Sequence, residues 1–144
     1  MIIKQISVFV ENGVGGIAEI TDILSANNVN LRSAYVADAA EFGILRLIVT
    51  DTKKAEQILS DNGFAVKESD VLAVEIPDRP GALGDVLKVL SDDGVNIEYM
   101  YAFVGKSEGA LMVFKADKAQ KAEAALAKSG VVDVNATTVF DSLK

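Results

Sequence analysis

The sequence contains no cysteine and no histidine. Without thiols there is no disulfide framework and no redox clue to a compartment. The two absences together exclude histidine-based triads, thiol nucleophiles and the usual zinc, haem and iron–sulfur sites. Oxygen ligands alone can still hold a hard cation. Here, however, the carboxylates fall singly or in helix-surface pairs such as Asp92 and Asp93, with no D-x-D-x-D-G loop. They read as a solvated surface, so neither a metal nor another cofactor is expected. Catalysis has little to work with, and the expectation is a protein that is not an enzyme.

Positive charge is also scarce: 14 Lys and Arg stand against 21 Asp and Glu, a net −7. That balance keeps a chain soluble and disfavours nucleic acid, whose backbone is gripped by clustered cations. Long apolar runs are missing too. None approaches the roughly 18 residues of a spanning helix, and Arg46 interrupts the most apolar stretch, Phe42 to Val49. The opening MIIKQISVFV reads as a strand rather than as a secretory leader. No membrane association is expected, and the expected location is cytoplasmic.

What is present is a duplication. Sliding the chain by 66 residues lays Val8 to Leu31 on Val74 to Ile97 without a gap. Identities include Val8/Val74, Gly15/Gly81, Leu24/Leu90, Ser25/Ser91, Val29/Val95, Asn30/Asn96 and Tyr35/Tyr101. At the same offset they continue with Gly43/Gly109, Leu45/Leu111 and Asp51/Asp117, and a one-residue insertion then aligns Leu59 with Leu126 and Gly63 with Gly130. The 144 residues therefore divide into two repeats, 1–70 and 71–144. Units this small bury too little surface to be comfortable alone.

Each repeat shows the same series of patterns. Ile6, Val8 and Val10, like Leu72, Val74 and Ile76, alternate as a half-buried strand does. After a glycine loop the period becomes helical, with Ile17, Ile20 and Leu24 matching Leu83, Val86 and Leu90. Asn28 and Gly94 suit the left-handed residue that ends such a helix. Strands follow over Leu31 to Ala37 and Ile97 to Val104, then over Ile44 to Thr50 and Ala110 to Ala116. Asp51 and Asp117 are placed to cap a second helix, which Gly63 and Gly130 end. A closing strand then begins at Phe64 or Val131, and Thr137 to Phe140 looks like one strand more. The order is βαββαβ twice. The predicted fold is α+β: two tandem ferredoxin-like sandwiches, antiparallel sheets with the helices on one face.

Two features bear on association. Only Glu68, Ser69 and Asp70 join the repeats, too short a linker for free drift. On the strand at Ile97, one parity carries Tyr99, Tyr101 and Phe103 and the other Met100, Ala102 and Val104. Both faces are apolar, so something covers the second, either the other repeat or a second copy in a homodimer. Those aromatics also suit base stacking, but the charge opposes it and the K/R-G-F/Y pattern of RNA-recognition sheets is missing.

The loops between first strand and first helix carry the functional signal. The second repeat has Asp78-Arg79-Pro80-Gly81-Ala82-Leu83, and the first has Asn12-Gly13-Val14-Gly15-Gly16-Ile17. Proline suits helix entry and glycine lets a backbone or a ligand come close. Bare N–H groups at a helix start also seat a carboxylate. The same glycines equally suit a tight turn with no ligand at all. Asn30 and Asn96 open the second strands, which are expected at the same end of the sheet as the loops, and an amide both donates and accepts.

At these residues the chain resembles the ACT domain family, whose pattern is D-x-P-G-x-L opening a helix and G-x-N-I opening the next strand. The second repeat matches with Asp78 to Leu83 and Gly94-Val95-Asn96-Ile97, while the first keeps Gly15, Ile17, Asn30 and Leu31 but has Asn12 in place of the acidic residue and Val14 in place of the proline. The resemblance implies units that pair side by side and bind an amino acid at an ACT–ACT interface. It places ligand contacts at Asn12, Gly13, Val14, Gly15, Gly16, Ile17, Asn30 and Leu31. In the second repeat it places them at Asp78, Arg79, Pro80, Gly81, Ala82, Leu83, Asn96 and Ile97. The second repeat, with the fuller pattern, is expected to bind more reliably. The implied role is a regulatory amino-acid sensor, a homodimer acting on a separate metabolic enzyme or regulator. The alternative is a structural oligomerisation module of ACT type that has lost its ligand.

Overall fold

The computed structural model describes residues 1–37, 41–105 and 107–144. The turns that the sequence places around Gly43 and Gly109, leading into the third strands, lie partly outside these residues. Two compact units form: a first unit of Lys4–Ser69, and a second of Asp70–Lys144 together with Met1–Ile3.

The first unit is built from β1 (Ile2–Glu11), α1 (Gly16–Ala26), β2 (Leu31–Ala37), β3 (Phe42–Val49), α2 (Thr52–Asp61) and the start of β4 (Val66–Ile76). Strands β1 and β2 both pair antiparallel with β3. After α2 the chain returns beside β1, where the Phe9 N–H donates to the Ala65 carbonyl at 3.1 Å. The period-two pattern puts Ile6, Val8 and Val10 on one face with Leu45, Leu47 and Val49. Ile20, Leu24, Ala55 and Leu59 of the two helices close that core. Asn28 ends the first helix with φ 57°. Asp51 caps the second, its carboxylate accepting from the Lys54 N–H at 3.1 Å.

The second unit continues from β4 through α3 (Ala82–Asp92), β5 (Ile97–Phe103), β6 (Ala110–Ala116) and α4 (Ala119–Ser129) to α5 (Thr137–Leu143). Here β4 and β5 pair antiparallel with β6. Leu72, Val74, Ile76, Val86, Leu90, Phe114, Ala122 and Leu126 form the core. Both units thus have the ferredoxin-like α+β build that the sequence predicts.

Three expectations are corrected in the second unit. No closing strand begins at Val131, because the chain turns instead: Asp133 accepts from the Asn135 N–H through its side chain and from the Ala136 N–H through its carbonyl. The flank of β4 is met by the other end of the chain, with the Ala73 N–H donating to the Met1 carbonyl at 2.9 Å and Ile2 packing on the core. Thr137 to Phe140 is helix, not strand. That helix breaks the one-faced arrangement: Thr138 bonds Glu75, whose partner in the ladder is Leu111, on the face away from Val74 and Ile76. Tyr101 and Phe103 share that face and are buried, whereas Met100, Ala102 and Val104 are exposed. The two parities of β5 are therefore not equivalent.

The repeat offset is also corrected. Val8 pairs with Leu45, but its equivalent Val74 pairs with Met112, a step of 67 residues. The Asn30 N–H donates to the Thr50 hydroxyl, and the Asn96 N–H donates to the Asp117 carboxylate. The extra residue therefore falls in the turn before the third strand of the repeat. One residue in a strand flips the face. So Leu111 looks away from α3 and α4, whereas Leu45 packs under α1 and α2, and Lys118, not Asp117, occupies the N-cap of α4 with no side-chain cap.

Candidate functional site: a cleft beside the first glycine loop

Both loops solve the same geometric problem. The chain must leave a strand and fold straight back as a helix packed on it, and one left-handed residue makes that turn. Gly15 has φ 85° and Gly81 φ 87°, each at an N-cap with no side-chain cap bond. The conformation, rather than close approach, requires glycine: a Cβ on Gly81 would meet nothing nearer than an Arg79 Nη1 at 3.9 Å. Pro80 lies before the cap, and Ala82 takes the first helical position, where it is buried. Gly16 is different, since a Cβ there would stand 2.9 Å from Val10 Cγ1.

Around the first loop the surface is hollow. A cleft of about 300 Å³ is lined by Val10, Glu11, Asn12 and Gly13 from the end of β1 and the loop, with Ile17 of α1. Val36 and Ala37 of β2 and Gly43 and Leu45 of β3 complete it. Ile17 and Val36 are 42% and 48% exposed, large aliphatic side chains left open at its mouth. Val14 projects fully into solvent at the loop tip. A second hollow of about 580 Å³ flanks the same loop, lined among others by Gly15, Gly16, Phe9, Phe42 and Phe64.

The asparagines are not there. Because β1 and β2 both run antiparallel to β3, they point the same way, and α1 spans the sheet between them. Asn30 therefore opens β2 at the far end of that helix, roughly 16 Å from the loop at 1.5 Å per residue. It lines a separate hollow with Thr21, Ser25, Asn28, Val29 and Leu31. Asn96 stands equivalently after α3, and both asparagines are exposed. The expectation that loop and asparagine share one end of the sheet is thus corrected by the strand directions. Leu31 and Ile97 are half-buried and pack on the cores of their units.

The second loop is occupied by its own side chain. Arg79 Nη2 bonds Asp85 Oδ2 at 2.8 Å, and its Nη1 donates to the Pro80 carbonyl at 3.3 Å. Asp78 lines a hollow shared with Glu75, Pro77, Glu108 and Asp133. Leu83 packs on the core. Nearby, Glu75 is held below the usual carboxylate range, first by the Ser107 hydroxyl and then by the Thr138 hydroxyl and the Gly109 N–H, against the opposing effect of burial.

The cleft residues that loop motifs do not single out are Val10, Glu11, Val36, Ala37, Gly43 and Leu45. In the sequence Gly43 stands at the edge of the third strand's apolar run, and the others read as ordinary strand residues. Among the described residues no group of three or more carboxylates is placed to hold a metal, and no helix is long and apolar enough to cross a membrane.

Two ferredoxin-like units, each with a glycine-capped helix beside a hollow, define a tandem α+β domain pair. The chain belongs to the ACT domain pair family, whose model matches residues 1–139. It is similar to a protein of solved structure from Bacteroides thetaiotaomicron, at 42% identity and a TM-score of 0.85, covering 92% of this chain and 91% of that one. The ligand-free regulatory subunit of aspartate kinase from Thermus thermophilus shares the fold at 16% identity and a TM-score of 0.65, covering 90% of this chain and 95% of its own. That from Thermus flavus does so at 14% and 0.62, over 90% and 95%. No curated protein matches the chain.

Proposed function

We propose that this ACT pair is a regulatory sensor without catalysis of its own, which binds a free amino acid beside the first glycine loop and acts on a separate enzyme or regulator. The observation that carries the reading is the pair of hollows, of about 300 and 580 Å³, that flank the first loop at the uncapped start of α1. Such a helix end favours a carboxylate through its bare N–H groups and its dipole. The cleft beside it offers room for a small substituent, at the lower end of the roughly 300–1,000 Å³ of ligand pockets. Regulatory subunits of aspartate kinase share the fold, which is consistent with a role as a subunit rather than as a catalyst.

The first loop is the better seat, although the second has the fuller motif, because Arg79 already pairs with Asp85 across the second. Since Asn30 and Asn96 stand a helix length from their own loops, either would reach a loop-bound ligand only from another ACT unit. A ligand held at an ACT–ACT interface, in a homodimer, is the arrangement in which they contribute. The structural-module reading is favoured only for the second unit, by that same ion pair.

A thermal-shift screen of the full chain against the common amino acids tests the reading. A ligand at a hundred times its dissociation constant should add about 2.7 kcal/mol of stability. If none of them shifts the transition, the sensor reading is wrong and the oligomerisation module takes its place.

A further inference from the structure

We infer that the first-unit cleft selects an amino acid with an uncharged aliphatic side chain, and that each chain holds one such site rather than two. The inference rests on the sensor reading above and specifies what it senses. Val10, Ile17, Val36 and Leu45 present only carbon to the cleft. A charged or hydroxylated ligand side chain lodged among these four would give up its hydration without a partner there, because the polar side chains of the lining, Glu11 and Asn12, are exposed to water. An aliphatic one would instead cover Ile17 and Val36, which are 42% and 48% exposed.

Gly43 sets the depth. A Cβ there would stand 3.8 Å from Val36 Cγ1 and 3.8 Å from the Val10 carbonyl, in ordinary contact with both. The missing methyl is therefore cleft space rather than a backbone necessity. The carboxylate at the rim, Glu11, pairs with Phe42 on the parity of β1 opposite to Val10, and its sign opposes an acidic ligand.

The second unit has changed at these same places. Counting the one-residue step before the third strand, Ala110 stands for Gly43 and Met112 for Leu45, and Met112 packs on its core. Arg79 stands for Gly13 and is tied to Asp85. Leu83, the equivalent of Ile17, leans on the core instead of standing open. Where the first unit has Gly43, Leu45 and Gly13, the second carries a methyl, a longer side chain and an ion-paired guanidinium, although Ala102 is smaller than Val36. The hollow that remains beside the second loop is lined by four acidic residues, Glu75, Asp78, Glu108 and Asp133, and not by an aliphatic cluster.

Calorimetry of the full chain with leucine, valine, serine, aspartate and lysine tests this. Leucine or valine should bind at one per chain, and roughly tenfold or more tighter than the other three, the scale on which a pocket reads apolar groups. Gly43→Ala should weaken leucine by a similar factor while the circular dichroism spectrum and melting temperature hold. Val36→Asp, at a half-exposed position that tolerates charge, should do the same. Serine, aspartate or lysine binding as tightly as leucine would overturn the inference and leave the sensor reading standing. So would two leucines per chain, or folded variants that bind leucine as well as the parent does. Binding of no amino acid removes both.

Discussion

The two units share a scaffold and differ in what they do with its ends. The positions that match are those the fold cannot change: the left-handed glycines at 15 and 81, the helix-ending glycines at 63 and 130, and the alternating core of β1 and β4. The positions that differ lie around the loop, the turn before the third strand and the flank of the first strand. There the first unit keeps open space, and the second adds side chains, one extra residue and a terminal helix. Phe9, 47% exposed, stands where the second unit has Glu75 bonded to Ser107 and Thr138. Conservation of the frame with divergence at one end of the sheet is what a duplicated sensor would show if only one copy kept the ligand.

The strongest way to break this comparison is at the altered turn. A Cβ on Gly109 would run into the Ile76 carbonyl and approach Glu75 Cγ to 3.2 Å. Gly109→Ala should therefore cost about 1–3 kcal/mol, the usual penalty of forced overpacking. Gly43→Ala meets only ordinary contacts and should stay within about 0.5 kcal/mol of the parent. Urea melts of both variants decide it. Equal losses would mean that the two turns are built alike.

The next effect separates the helices. Asp51 caps α2 through the Lys54 N–H, while Lys118 at the equivalent place gives α4 no side-chain cap. Asp51→Ala should lose about 1 kcal/mol, and Lys118→Ala should lose nothing measurable. Lys118→Asp, which restores a cap, should gain stability. A gain that fails to appear would show that packing on the core, not the cap, decides the start of α4.

That pair of helices also shows how far the sequence could be read. The strands and first helices were legible because burial on one face imposes a period of two or 3.6, as in Ile6, Val8 and Val10 or Ile20 and Leu24. The left-handed residues that end the helices, Asn28, Gly63, Gly94 and Gly130, were legible too, since glycine or asparagine has to stand there. The offset of Asp117 was not. Gly43/Gly109, Leu45/Leu111 and Asp51/Asp117 are chance identities between common residues, and only the ladder partners Leu45 and Met112 reveal the slip. The cleft was half legible: its loop carries a motif, but Val10, Val36, Gly43 and Leu45 come from three strands that meet only when folded. The place of Asn30 was misread because the shared direction of β1 and β2 puts a helix length between loop and strand start.

A smaller, local effect concerns α5, which the first unit lacks. The Glu75 carboxyl is held below its usual value, chiefly by Ser107 and then by Thr138. A carboxylate stabilised in the folded state lends that stability above its unfolded pKa and loses it as the pH falls through the folded one. Acidification should therefore loosen α5 before either core melts. Hydrogen exchange at Val139 and its neighbours should quicken at acid pH, and Glu75→Gln should remove the pH dependence. Exchange that quickens equally in the variant would assign the effect to another carboxylate.

The smallest expected effect sharpens the comparison most, because it separates occupancy from stability. Arg79 and Asp85 are 56% and 52% exposed, and their 2.8 Å contact lies in water. Exposed pairs of this kind are worth roughly 0.2–1 kcal/mol at low salt and less at high salt. Arg79→Gly, which copies Gly13 into the second loop, should therefore change the melting transition little, and less still in 0.5 M salt on the order of a 4 Å Debye length. The backbone of that loop depends on Gly81, which keeps its left-handed turn. If the second unit is silent only because the guanidinium lies across its helix start, Arg79→Gly should raise the leucine stoichiometry from one per chain towards two. If Ala110 and Met112 also fill the space, the stoichiometry should stay at one, and that is the outcome expected here. A loss of stability well beyond about 1 kcal/mol would show instead that Arg79 holds the second loop together, and that its divergence from Gly13 serves the fold rather than the closing of a site.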